Sequence, residues 1–130
     1  MIVIDSSYAL SLVMPDETRP ASAGVVLQEL LCAPMIWPVE IANGMRTGVR
    51  RHRMTREEAV ALCADLNDWE VKIVAPLHDD ASRHLDFALQ HDLTPHDALY
   101  LALALQKRCA IATHDEALAK AASRTGLSGQ

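Results

Sequence analysis

The chain has 130 residues, half of them hydrophobic but only 4% aromatic, and a formal net charge of −5. That length suits one ordinary domain burying about two-thirds of its unfolded surface without disulfide or metal staples, and the acid excess argues against a broad, sequence-independent nucleic-acid surface. No segment resembles a signal peptide and no apolar run approaches a membrane span, so a cytoplasmic protein with no membrane association is expected.

Ile2-Val3-Ile4-Asp5 reads as a strand over 2–5, and Ser6-Ser7 is a helix-entry signal before a first helix over Tyr8–Met14. Pro15-Asp16-Glu17 breaks that helix. Pro20 starts a second, with Val25, Val26, Leu30 and Leu31 at a helical period. Met35-Ile36-Trp37 is a strand candidate over 35–37, and Pro38 then starts a third helix through Ile41, Met45 and Val49 to about Arg53, with Glu40 in its first turn. Thr55-Arg56-Glu57-Glu58 has capping-box spacing and opens a fourth helix to about Asn67.

Glu70–Ala75 alternates before a proline and reads as a strand over 70–75. A fifth helix begins at Asp79-Asp80 and ends near His91-Asp92. In Leu93–Ala104, Thr94 caps a sixth helix, Pro95 fits its first position, and Asp97 falls in the first turn near the positive end of the dipole. No residue from Ala98 to Leu105 is charged, so this helix is expected to be buried on most of its circumference. A strand over 109–113 and a last helix from Asp115 to about Arg124, stopped by Gly126, complete the order. Short strands separated by helices indicate an α/β fold, a three-layer α/β/α sandwich on a short parallel sheet, as a single domain over 1–130. Cys32, Cys63 and Cys109 are an odd number with no CxxC pair, the pattern of buried free thiols in a reducing compartment.

In an open parallel sheet, ligands bind outside the carboxyl ends of the strands. Four acids are expected at that edge: Asp5, Glu40, Asp97 and Asp115. Each carboxylate raises the pKa of the next, so such a cluster calls for a counter-charge, and a divalent cation supplies one. All-oxygen ligation favours Mg²⁺ or Mn²⁺ over Zn²⁺. Capping is the competing explanation for Asp5, Asp97 and Asp115 taken singly. Glu40 is harder to account for that way, because WPVE sets a charge among apolar neighbours.

VIDSS at the N-terminus, WPVEIAN, LTPHDALYLALA and IATHDEAL resemble, in order and spacing, the motifs of PIN-domain ribonucleases, specifically VapC-type toxins of bacterial type II toxin–antitoxin systems. The resemblance covers essentially the whole chain. It implies a metal-dependent endoribonuclease with Asp5, Glu40, Asp97 and Asp115 around one or two Mg²⁺ or Mn²⁺ ions, and Ser7 and Thr113 as small hydroxyl residues orienting water or a carboxylate. It also implies hydrolysis of RNA phosphodiesters by metal-activated water, leaving 5′-phosphate and 3′-hydroxyl ends. A small VapB-type antitoxin as inhibitor and a homodimer, with helices three to five as its surfaces, follow from the same resemblance. Gly44 and Gly48 depart from it mildly, since each costs a helix about 1 kcal/mol relative to Ala, and they put the straightness of the third helix in question.

Arg46, Arg50, Arg51, Arg53 and Arg56 form a basic island on this acidic chain. As a helix end they complement the dipole; as a patch, Arg46 and Arg50 lie one turn apart and suit RNA phosphates or an acidic antitoxin segment. Histidine precedes aspartate at His78, His91, His96 and His114. The HD doublet of metal phosphohydrolases belongs to an all-helical fold that the strands contradict, so these read as surface histidines, with His96 and His114 beside proposed ligands. Trp37 and Trp69 read as packing residues. Two functional alternatives remain at this level: a receiver-like phosphoacceptor module, which needs a lysine after its last strand, and a catalytically silent PIN-fold binding protein.

Overall fold

A computed structural model describes residues 1–127; the last three positions of the expected 1–130 domain lie outside the described residues. The elements run β1 (Ile2–Ile4), α1 (Ser6–Val13), α2 (Ala23–Val26), β2 (Leu31–Pro34), α3 (Trp37–Arg50), α4 (Arg56–Asn67), β3 (Lys72–Val74), α5 (Ala81–His91), α6 (Pro95–Lys107), β4 (Ala110–Ala112) and α7 (Glu116–Arg124). The four strands form one parallel sheet in the order β3-β2-β1-β4. Val3 lies opposite both Cys32 of β2 and Ile111 of β4. With neighbours on both sides and helices on both faces, β1 has no polar side chain and all three of its residues are buried.

Right-handed crossovers fix the layers. The chain steps outward from β1 to β2 to β3 through α1 to α4, then returns past β1 to β4 through α5 and α6. The first four helices therefore cover one face and the last three the other, in agreement with the packing of α1 on α3, α3 on α4, α5 on α6 and α6 on α7. The expected α/β/α sandwich is thus the observed architecture. The chain order reverses between β1 and β4, and that reversal opens a crevice at their carboxyl ends, where parallel sheets bind ligands. This order is not the 2-1-3-4-5 order of receiver-type sheets, and β4 is followed by Thr113 rather than lysine, so the phosphoacceptor alternative is set aside.

Helix α6 is the central element of its layer. It packs on β1, β2 and β4, and Ala98, Tyr100, Leu101, Leu103 and Ala104 are buried, while Ala102 is exposed. Its cap is Thr94, whose hydroxyl accepts from the Asp97 N–H at 3.2 Å. The capping box at Thr55 and Glu58 is present in both directions. Cys32 is buried and Cys63 and Cys109 are half-buried, all as free thiols. Trp37 is buried and Trp69 packs against the core. No helix among the described residues is long and apolar enough to cross a membrane.

The second strand is a correction. It occupies Leu31–Pro34, not 35–37. LCAP is buried throughout and pairs with Ile2 and Val3, whereas Met35 is 58% exposed and Ile36 and Trp37 form the entry to α3. Leu31 accordingly leaves the helix expected to contain it, and that helix shrinks to Ala23–Val26, with no side-chain cap. The other strands are shorter than 2–5, 70–75 and 109–113 by one to three residues.

Gly44 and Gly48 are not defects in α3. A Cβ at Gly44 would stand 2.4 Å from Leu10 Cδ1, and one at Gly48 would lie 3.2 Å from the methyl carbons of Met14 and Met54. The missing side chains let α3 approach α1 closely.

Candidate active site

Asp5 follows β1 directly. Its N–H extends the ladder to the Ala112 carbonyl at 3.0 Å, and its carboxylate then caps α1. Oδ1 accepts from the Tyr8 N–H and the Ser7 hydroxyl, each at 2.8 Å, and Oδ2 accepts from the Thr113 hydroxyl. Ser6 and Ser7 are thus the first helical residues, and the cap is the acid before them. Asp5 is 5% exposed. Burial pushes its carboxyl above the usual value, against the opposing pull of Thr113, Tyr8, Ser7 and His114.

Thr113, the residue after β4, connects two acids. Besides donating to Asp5, its oxygen accepts from the Asp115 N–H at 2.9 Å. Asp115 caps α7 through Oδ1, which accepts from the Leu118 N–H at 2.8 Å. Ser7 closes the arrangement by accepting from the His114 N–H at 3.2 Å. The hydroxyls of Ser7 and Thr113 therefore act on a carboxylate and on the β4–α7 turn.

The other two acids arrive on helices. Asp97 stands in the first turn of α6, and its carboxyl is raised first by burial, then by the charges of Asp115 and Glu40. Glu40 stands in the first turn of α3, and its Oε1 accepts from the buried hydroxyl of Tyr100, on α6. Burial and the neighbouring Glu40 and Asp5 carboxylates push the Tyr100 phenol far up. Asp97 therefore lies within electrostatic range of Asp115 and Glu40, and Asp5 is joined to the backbone of Asp115 through Thr113. Capping accounts for one oxygen each of Asp5 and Asp115; it does not account for Asp97, because Thr94 is the cap there, or for Glu40. Among the described residues, no three His, Cys, Asp or Glu side chains converge closely enough to form a closed metal cage as they stand.

The arginines divide. Arg53 is held by Asp16, with both contacts at 2.6 Å, and reaches Glu17 at 3.4 Å. Arg46 and Arg50 are exposed on α3, about 9 and 15 Å beyond Glu40 along the axis at 1.5 Å per residue. Sequence reasoning missed three participants: Tyr100, Tyr8 and Ser11. The His114 ring stacks on Tyr8 at 5.0 Å between centroids, and its Nε2 lies 2.9 Å from the Ser11 hydroxyl, so this exposed histidine also ties the β4–α7 turn to α1. No periodicity marks these residues, because a buried tyrosine or serine on an apolar helix face has the sequence signature of packing.

The profile of the PIN domain family matches residues 2–123. Among curated proteins, no sequence match is found. Among solved structures, the chain is similar to PAE2754 from Pyrobaculum aerophilum, with a TM-score of 0.72, 18% identity, and coverage of 92% of this chain and 78% of that one. It is also similar to VapC20 from Mycobacterium tuberculosis, described as a toxin cleaving the sarcin–ricin loop, with a TM-score of 0.68, 18% identity, and coverage of 93% and 95%. At that identity the two structures establish a shared fold. The family match spans nearly the whole chain, and it includes every acid of the edge: the protein belongs to the PIN domain family.

Proposed function

We propose that this protein is a Mg²⁺- or Mn²⁺-dependent endoribonuclease and acts as the toxin of a toxin–antitoxin pair. The observation that carries the reading is the placement of acids from four separate elements at the carboxyl ends of the strands, with the Asp97 carboxyl raised first by burial and then by the charges of Asp115 and Glu40. Acids from separate elements that disfavour one another's charge are what a bound cation relieves. The donor set supports the choice of ion: Asp5, Glu40, Asp97 and Asp115 offer only oxygen, with no thiolate or imidazole in the set, which suits a hard cation.

In this reading the four acids hold the cation, which when bound activates water and neutralises charge on the scissile phosphate. The remaining work falls to the chain. Thr113, Ser7 and the Tyr8 N–H fix Asp5. The Leu118 N–H fixes one oxygen of Asp115 and leaves Oδ2 without a hydrogen-bond donor among the described residues. Exposed Arg46 and Arg50 are assigned to RNA phosphates or to an acidic segment of a VapB-type antitoxin. The protein is placed in the cytoplasm, working as one PIN-like domain over 1–130. A homodimer is part of the proposal, favoured by Leu85 and Leu89, exposed by 52% and 70% on α5, and by Leu77, exposed by 71% and lining a groove of about 610 Å³ between α5 and α6.

The test is cleavage of RNA with Mn²⁺ by the unaltered protein and by Asp5→Asn and Asp97→Asn, each checked for retained fold by circular dichroism. Loss of cleavage in both variants is expected; retained cleavage in both overturns the reading. A folded protein that binds no Mn²⁺ would instead favour a silent PIN-fold binding protein.

A further inference from the structure

Tyr100 lies one turn beyond Asp97 on α6, with its ring 1% exposed and its hydroxyl donating to Oε1 of Glu40, 60 residues away in sequence. Glu40 has three rotatable side-chain bonds, stands half-buried in the first turn of α3, and meets no other side-chain donor among the described residues. Left to itself, its carboxylate would turn away from the like charge of Asp97, and fixing three torsions on binding a cation would cost it rotamer entropy. The phenol removes that freedom, holding one oxygen and leaving Oε2 open.

A second consequence concerns rigidity. Residues three apart on a helix share a face, so α6 presents Asp97 and the Tyr100 hydroxyl toward the same edge, and α6 is the helix packed on β1, β2 and β4. One rigid helix thus positions Asp97 directly and Glu40 through a hydrogen bond, although Glu40 belongs to the opposite layer. A phenol placed only for packing has no need of an acid from the other layer.

Resting on the nuclease reading, we propose that Tyr100 is a positioning residue that presets the Glu40 carboxylate for the divalent cation. Tyr100→Phe keeps the ring and the packing and removes only the hydroxyl, so it tests the bond and not the fold. Mn²⁺ affinity is measured by calorimetry without RNA, in the unaltered protein, in Tyr100→Phe, in Glu40→Ala and in the double variant. The expected result is about 10- to 100-fold weaker Mn²⁺ binding in Tyr100→Phe, the usual cost of losing a partner that orients a ligand, with the thermal midpoint of the metal-free protein nearly unchanged. In the Glu40→Ala background the same substitution should change affinity less than about twofold, because its route is gone.

The bond also has a metal-free readout: a slowly exchanging, downfield hydroxyl proton of Tyr100 in the NMR spectrum of the unaltered protein that disappears in Glu40→Ala. Tyr100→Phe binding Mn²⁺ as tightly as the unaltered protein overturns this inference alone, and so does an equal loss in the Glu40→Ala background. No Mn²⁺ binding by the unaltered protein overturns the nuclease reading, and the inference with it.

Discussion

The Thr113 hydroxyl donates to Oδ2 of Asp5 across 108 positions of sequence, and both residues are nearly fully buried. One lies just past β1 and the other just past β4, the two strands that border the crevice. The bond therefore sutures the site at the point where the chain order reverses. It is also one of the hydrogen bonds that hold the Asp5 carboxyl down against burial.

Thr113→Val keeps the shape and deletes both the donor to Asp5 and the acceptor of the Asp115 N–H. A hydrogen bond to a charged group contributes about 1.5–3 kcal/mol, so urea unfolding should show a loss of that order, with the Asp5 carboxyl rising further. Thr113→Ser should recover most of the loss. Equal stability of Val and Ser variants would mean that the bond contributes nothing.

The pH dependence of the metal-free protein follows from Asp97. Its carboxyl is raised above 3.8 in the folded protein, by burial first and then by Asp115 and Glu40, so the folded state binds that proton more tightly than the unfolded chain. The stability it contributes is fully present below the unfolded value and is lost as pH rises through the higher folded value. Asp97→Asn should thus melt higher than the unaltered protein near neutral pH in chelator, with a flatter profile as pH rises above 3.8. Added Mn²⁺ should reverse the ranking by stabilising only the protein that binds it. An Asn variant that melts lower in chelator would show that the favourable place of Asp97 at a helix N-terminus outweighs the crowding of charge.

The four candidate acids could be picked out in the sequence because each stands at an element boundary beside an apolar run, where a charge has no packing role, and their placement at the carboxyl ends of the strands follows from the parallel β-α order. Tyr100 could not be picked out, because its partner lies on a helix of the opposite layer and nothing local distinguishes a tyrosine that donates to Glu40 from one that fills space. The second strand was misplaced for a related reason. From Leu30 to Trp37 the chain is apolar without a break, and a continuous run carries no period to separate helix from strand; only the pairing of Cys32 with Val3 settles the register. The basic island read as one feature, but the tertiary fold assigns Arg53 to Asp16 and leaves Arg46 and Arg50 exposed.

That pairing of Arg53 with Asp16 ties the turn after α3 to the segment after α1. The side chains are 31% and 47% exposed, so solvent screens the pair and its effect on global stability should be small. The local effect should be larger. Arg53→Ala is expected to leave the urea midpoint unchanged within error while speeding proteolysis between Pro15 and Pro20, and high salt should mimic the substitution. An unchanged cleavage rate in that segment would show that the tether carries no local order.

The close approach of α3 to α1 gives the sharpest packing test. At Gly44 an added Cβ meets Leu10 Cδ1 at 2.4 Å, so the Leu10 side chain must shift, and overpacking of this kind costs about 1–3 kcal/mol. Replacing a helical glycine by alanine returns about 1 kcal/mol of propensity. Gly44→Ala should therefore be net destabilising, whereas Gly48→Ala, whose neighbours are two flexible methionine methyls at 3.2 Å, should be neutral or stabilising. The decisive measurement is the double-mutant cycle with Leu10→Ala. Once Leu10 is shortened the clash is gone and only the propensity gain remains, so Gly44→Ala should change sign and become stabilising in that background. The same sign in both backgrounds would mean that the glycine serves something other than the contact with α1.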